Sequence, residues 1–381
     1  MRILYVLDEF AERTAGTEGQ FLELVTGLAD RHVDISIALL RDAPTLQRAL
    51  PGIPSVVLGL KSLRSPATLG ALWKLQRWAR AQGSELAHIY FNDASIACPL
   101  PLRLAGLPVL VSRRDLGLWY TPGNLPLLRL NRHAVTTVVA NADAVKRYTM
   151  EHEHYPEHKV VTIYNGWRKR ADTNDRVAVR AELGIPVNAQ VLLTVGNLRP
   201  LKRMDDAIRI LAAAKAPADD VWLCVVGADR PGKNGSEKQR LQALAAELGV
   251  AGRVVFAGAR ADPWPIVQAC DICMLCSETE GLSNALIEYS AAGKPVICTQ
   301  AGGNAEVVLD GVSGFVFQTG DVRYAAGKVT QLLSDPALAA SMGERGRQRA
   351  NEQFAVDGMV ERHLQLYRAL TAPAAAKSVP T

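Results

Sequence analysis

Residues 277–314, SETEGLSNALIEYSAAGKPVICTQAGGNAEVVLDGVSG, set the reading of the whole chain. Just before them, DICMLC (271–276) has the unbroken apolar character of a short buried strand. Two glutamates follow, Glu280 and Glu288, with Gly281, Leu282, Ser283 and Asn284 between them. Residues 284–292 carry Leu286, Ile287 and Ala291 at helical spacing, Ser283 is a suitable N-cap, and Gly293 with Pro295 stops the helix. Glu280 is therefore expected in a strand-to-helix loop and Glu288 about one turn into the helix. The first-turn N–H groups of such a helix point back into the loop and make a seat for phosphate. Gly302-Gly303 is a second candidate seat, because glycine lets backbone approach a ligand closely. Each carboxylate oxygen accepts hydrogen bonds from vicinal hydroxyls. Phosphate seat and carboxylates together point to a nucleotide sugar. The competing reading makes the two glutamates a solvated loop residue and a helix surface residue.

Composition bounds the answer without choosing a function. A chain of 381 residues exceeds what one hydrophobic core usually supports, so two domains are expected. Hydrophobic content of 48% and charged content of 21% suit an ordinary globular protein. A net charge of +5 is modest, and no nucleic-acid recognition motif accompanies it. No apolar run approaches the roughly 18 to 20 residues that span a bilayer, and MRILYVLDEF reads as a first strand rather than a signal peptide, so a cytoplasmic location is expected. Cys270, Cys273 and Cys276 have the spacing of an iron–sulfur motif. On an extended strand, however, Cys273 would face away from the other two, which favours buried thiols. His152, His154 and His158 read as a solvated helix end rather than a metal site.

Strands and helices alternate along the chain, the mark of parallel α/β sheets. Residues 2–7, 35–40, 55–58, 86–90, 109–112, 135–140 and 160–164 read as strands, with amphipathic helices at 17–31 and 67–81. NGWRKRADTND (165–175) is polar and aperiodic and reads as an interdomain linker. The rhythm restarts with strands at 191–195, 222–226, 254–256, 272–275, 296–298 and 315–317. No G-x-G-x-x-G follows a strand, which weakens a nicotinamide dehydrogenase reading. In NLRPLKR (197–203), Arg199 and Lys202 follow a strand directly, at the strand end where open α/β sheets bind ligands. A guanidinium beside an ammonium stabilises the charge that builds on a departing nucleotide diphosphate.

EGLSNALIEYSAAGKPVICTQAGGNAEVV closely resembles the signature of the family 4 glycosyltransferases. The resemblance implies an α/β GT-B fold, two Rossmann-like domains facing each other across a cleft. Residues 1–165 would form the acceptor-binding domain and 176–355 the nucleotide-sugar donor-binding domain, with a last helix at about 356–371 packing back on the first. It further implies a retaining transferase that moves a sugar to a hydroxyl acceptor, saccharide or lipid-linked, in bacterial surface-polysaccharide assembly. Arg199 and Lys202 fall on the family's R-x-x-K that faces the donor diphosphate. Glu288 would hold the ribose, Glu280 the donor sugar, and Leu282, Ser283 and Asn284 the phosphate and sugar. Gly16, in A-G-T-E (15–18), resembles the family's G-G-x-E turn, with Ala15 replacing its first glycine. Where relatives often carry a sugar-contacting histidine, this chain has Arg114 followed by Asp115. No D-x-D occurs, so no metal and no other cofactor is expected. The alternatives are a GT-B-fold sugar-nucleotide epimerase and a non-catalytic nucleotide-sugar-binding protein.

The first half also carries a possible membrane face. Lys74, Arg77 and Arg80 lie beside Trp73 and Trp78, and Arg103, Arg113, Arg114, Arg129 and Arg132 lie near Trp119 and Tyr120. Basic residues with interfacial tryptophans suit docking on an anionic leaflet. The alternative is a core-packed helix whose tryptophans face inward.

Overall fold

The structure, a computed structural model, describes residues 1–10, 16–172, 175–214, 220–229 and 235–372. The chain divides into two units, Met1–Gly166 with Val356–Thr381, and Trp167–Ala355. In the first, β1 (Arg2–Leu7), β2 (Asp34–Leu39), β3 (Ser55–Val57), β4 (Leu86–Ile89), β5 (Val109–Arg113), β6 (Thr137–Ala140) and β7 (Val160–Thr162) form a sheet ordered β3-β2-β1-β4-β5-β6-β7. In the second, β8 (Gln190–Val195), β9 (Val221–Val226), β10 (Val254–Gly258), β11 (Ile272–Leu275), β12 (Val296–Thr299) and β13 (Gly314–Phe317) are ordered β10-β9-β8-β11-β12-β13. Every pairing in both sheets is parallel. The central strands are nearly continuous apolar runs, such as RILYVL and VWLCVV, because helices cover both faces of a parallel sheet. Each expected strand is present, and ends differ by a residue or two from the sequence reading.

Strand order in both sheets is that of a doubly wound nucleotide-binding fold. The molecule thus has the GT-B architecture, two Rossmann-like domains. The last helix, Val356–Thr371, joins the core of the first unit through Val356, Met359, Val360, Leu364 and Tyr367. Its Tyr367 hydroxyl meets the Tyr5 hydroxyl at 2.9 Å and His88 Nδ1 at 2.6 Å, so the helix is tied to β1 and β4 by buried polar contacts as well as apolar ones.

Residues 165–175 are not all linker. Gly166 exchanges two hydrogen bonds with the Gln20 side chain, of 2.7 and 2.8 Å, in the first unit. Trp167 already belongs to the second, where its N–H donates to Phe354 O at 2.7 Å and its ring stacks on Trp264. Residues 173–174 and the tail 373–381 lie outside the described residues.

The cysteine geometry also departs from expectation. Cys270 Sγ and Cys273 Sγ are 3.5 Å apart, because Cys270 ends the helix Trp264–Ala269 and never enters the strand whose alternation would have separated them. All six thiols are free and buried. Among the described residues no three His, Cys, Asp or Glu side chains converge on a metal position. His154 and His158 are exposed, and His152 stacks on Tyr148.

The helices Gly16–Ala29 and Val356–Thr371 cross closely enough that a Cβ on Gly27 would lie 2.6 Å from Val360 Cγ2. Gly27→Ala should therefore lose about 1–3 kcal/mol of stability. In denaturant melts, Gly27→Ala/Val360→Ala should be less destabilised than the sum of the two single changes. Strict additivity would contradict this crossing.

Candidate functional site

In the second sheet the winding reverses between β8 and β11, where one strand's connection leaves to one side and the next returns to the other. The loops after these two strands therefore diverge and leave a crevice at their carboxyl ends. After β8, the turn Pro200–Lys202 follows Arg199 and is succeeded by Arg203 in a left-handed conformation, φ 46°. That uncommon backbone is held by the Arg203 guanidinium, whose Nε and Nη2 donate to both oxygens of buried Asp206 at 2.6 and 3.1 Å. The R-x-x-D spacing of 203 and 206 is visible in the sequence, but a turn that forces a positive φ is not. After β11, Glu278 N–H donates to Leu201 O at 2.9 Å and stitches the two loops together. Lys202 Nζ then meets Glu280 Oε1 at 2.6 Å, with both side chains largely shielded from solvent.

Of the residues singled out from sequence, Lys202 and Glu280 are brought into direct contact. Arg199 stands beside them, exposed and without an ion-pair partner among the described residues. Leu282 and Ser283 are buried at the entry to the helix Asn284–Ala291, with Asn284 as its first residue. Ser283 occupies the N-cap position with φ −78° and ψ 117°, yet its hydroxyl makes no capping hydrogen bond. The expected side-chain cap is thus absent. Glu288 lies on the same helix, half-buried, and burial raises its carboxyl above the usual range while Arg170 opposes the rise. Arg170 Nη2 lies 4.0 Å from Glu288 Oε1, and its Nη1 donates to Asp262 at 2.6 Å. Arg170 lies in the polar stretch that reads as linker, and only the tertiary fold brings it to Glu288.

Gly302-Gly303 packs tightly against the Glu280 loop. A Cβ on Gly302, at φ +52°, would lie 1.8 Å from Glu280 O, and Gly303 N–H donates to Gly281 O at 2.8 Å. The close approach is to the protein's own backbone. These glycines shape the Glu280 loop, with Thr299 Oγ1 donating to Ser277 O at 2.6 Å as a further tie.

Gly16 and Arg114 belong to the first unit. Gly16 begins the helix Gly16–Ala29; Ala15 and the rest of 11–15 lie outside the described residues. At the end of β5, Arg113 and Arg114 have unlike surroundings. Arg113 is buried and grips Glu153 through Nε and Nη2 at 2.5 and 2.8 Å, with Tyr120 also donating to Glu153. Arg114 donates from Nη2 to the Asn165 amide at 2.6 Å and lies over the Tyr90 ring.

Residues 175–349 match the family described as glycosyl transferases group 1, and residues 14–167 match glycosyltransferase family 4. The chain belongs to the family 4 glycosyltransferases. It is 32% identical over 209 residues to the lipopolysaccharide core biosynthesis glycosyltransferase LpsE of Rhizobium meliloti, covering 53% of this chain and 58% of that protein. It is 30% identical over 213 residues to the N-acetyl-alpha-D-glucosaminyl L-malate synthase of Bacillus anthracis, covering 56% of this chain and 54% of that one. The matched regions thus span little more than half the length of these relatives. Among solved structures, HepE of Anabaena in complex with UDP superimposes with a TM-score of 0.86 at 23% identity, over 97% of this chain and all of that one.

The contact at Gly302 sets a test of the loop. Gly311, also left-handed at φ +70°, has open space around it. Gly311→Ala should cost only the backbone penalty, about 1–2 kcal/mol. Gly302→Ala should cost clearly more in thermal melts, since backbone on both sides must shift. Equal losses at the two glycines would show that the Glu280 loop tolerates displacement.

Proposed function

We propose that the chain transfers a sugar from a nucleoside diphosphate sugar to a hydroxyl of a saccharide or lipid-linked acceptor, with retention of anomeric configuration, in polysaccharide or glycolipid assembly. The observation that carries this reading is the Lys202–Glu280 contact at the reversal point of the second sheet, with Arg199 exposed alongside. A diphosphate seated at this crevice would meet two cations, and a sugar attached to it would lie against a carboxylate. The family and the printed activities of the relatives support the same class of chemistry.

In this mechanism Glu288 holds the ribose hydroxyls and Glu280 those of the donor sugar. Lys202 and Arg199 stabilise the negative charge that grows as the bond from the anomeric carbon to the phosphate oxygen breaks. The acceptor oxygen bonds to that carbon on the same face, and its proton passes to the departing phosphate oxygen. Atoms and charge balance without an enzyme nucleophile. Leu282, Ser283 and Asn284 offer donors to phosphate and sugar. The reaction is proposed to need no metal and no cofactor, the two cations supplying the electrostatic stabilisation, and to run in the cytoplasm. An epimerase would convert the donor with no second substrate. A binding protein would leave it intact.

Release of nucleoside diphosphate from a panel of nucleotide sugars, with and without acceptors, tests the reading. Lys202→Ala or Arg199→Ala should lower kcat by roughly 10²–10³, more than either weakens donor binding. Glu288→Ala should chiefly weaken nucleotide binding and Glu280→Ala chiefly turnover, and EDTA should change nothing. If both glutamate variants stay within about twofold of the parent in affinity and rate, the paired-carboxylate assignment fails.

A second proposal concerns the membrane. Trp73 is 59% exposed and Leu69 76%, one turn apart on the helix Ala67–Ala81, and Leu100 and Leu104 form a similar exposed pair on Pro99–Leu104. These helices touch through Gln76 Nε2 and Pro101 O at 2.7 Å, and Arg77, Arg80 and Arg103 are exposed on them. The inward-facing alternative fails for Trp73, while Trp78 is half-buried. Several expected basic residues drop out: Arg113 is buried, Arg114 is half-buried against Asn165 and Tyr90, and Lys74 and Arg129 donate to Val57 O and His152 O. Among the described residues no helix is long and apolar enough to cross a membrane. Peripheral docking of this face on anionic lipid is the proposed arrangement. Co-sedimentation with anionic vesicles should exceed that with neutral ones at low salt and fall at high salt, and Trp73→Ala should weaken it. Equal, negligible binding to both would leave a water-soluble acceptor as the better account.

A further inference from the structure

Arg113 and Arg114 are adjacent in sequence, yet only one has its charge answered. Glu153 accepts two hydrogen bonds from Arg113, whose Nη1 also donates to Ser95 Oγ at 3.0 Å. Arg114 has a neutral amide and an aromatic face instead, and among the described residues no carboxylate pairs with it. Burial lowers its pKa, with only the Tyr90 phenol opposing. A shielded guanidinium without an anion is costly, and an amide does little to offset it.

The two arginines line a cleft of about 50 Å³ at the carboxyl ends of β4 and β5, with Thr17, Asn92, Asp115 and Trp119 on its walls. The volume suits a small ionic group rather than a whole sugar. Asp115 does not fill the role of counter-ion. Its Oδ1 accepts from Gly117 N at 2.7 Å and Leu118 N at 3.3 Å, in the turn that it begins. Trp119 lines the same cleft, with the Arg113 guanidinium carbon 5.6 Å from its ring centre.

We propose that Arg114 seats an anionic group, a carboxylate or a phosphate, borne by the acceptor saccharide. This rests on the glycosyl-transfer reading for the word acceptor, but the charge preference stands on the cleft alone. The planar fork of the guanidinium takes two oxygens of either anion, and the rest of the sugar lies outside the cleft.

Binding of glucose, glucuronate and glucose 6-phosphate to the full chain, followed by NMR titration, separates the charge from the sugar and one anion from the other. At least one charged sugar should bind about tenfold or more tighter than glucose. Arg114→Gln should abolish that preference, and Arg114→Lys should keep only part of it. Should the glutamine variant fail to fold, judged by its thermal melt, the lysine variant decides. UDP, ADP and GDP, titrated in parallel, should bind the parent and both variants alike. The proposal is overturned if no charged sugar is preferred, if the preference survives in the variants, or if the variants lose nucleotide affinity to the same degree. The last result would assign Arg114 to the donor. Failure of every nucleotide to bind the parent would instead overturn the glycosyl-transfer reading, while the sugar titrations still decide the anion seat.

Discussion

The handedness of the crossover between parallel strands is the constraint on which the rest of the second unit depends. Right-handed crossovers carry β8 to β9 and β10 in one direction, and the chain must then return to the other side of β8 to lay down β11. No helix can cover the point where the direction reverses, so the two loops there stay open to a ligand. Lys202 and Glu280 are 78 residues apart in sequence and meet because their strands are neighbours at that reversal. The first sheet obeys the same rule between β1 and β4, and Asp8, at the end of β1, caps the backbone N–H groups of Asn92, Asp93 and Ala94 beyond β4.

Backbone contacts then give the second unit's crevice its shape. Gly302 approaches Glu280 O more closely than any side chain permits, and Glu278 is bonded to Leu201. The carboxylate and ammonium therefore sit on loops braced from both sides. Such bracing suits chemistry in which charge must be met by groups that are already in place. A similar close approach occurs where β9 and β8 finish: a Cβ on Gly227 would lie 1.9 Å from Gly196 O.

Buried charge is handled in two ways. Arg180 is fully buried yet satisfied by Asp271 and the carbonyls of Val187, Ala189 and Ala269, so it secures the start of β8 against β11. Arg113 is likewise answered by Glu153. Arg114 is the contrast, and the difference between adjacent residues is what gives it functional interest.

The amino-acid sequence alone determined the strand and helix pattern, because buried parallel strands must be continuous apolar runs and the helices between them must be amphipathic. It also carried the family, through residues 280–308, and the types of residue at the second unit's site. Tertiary structure decided what local spacing does not encode. It joined Lys202 to Glu280, brought Arg170 from a polar stretch to Glu288, and packed Gly302-Gly303 against the Glu280 loop. It placed Cys270 beside Cys273, since a helix end escapes strand alternation, and it separated Arg113 from Arg114 by giving a carboxylate to one and an amide to the other. Each of these depends on residues distant in sequence or on a backbone turn, and periodicity, which reports only local faces, carries no information about either.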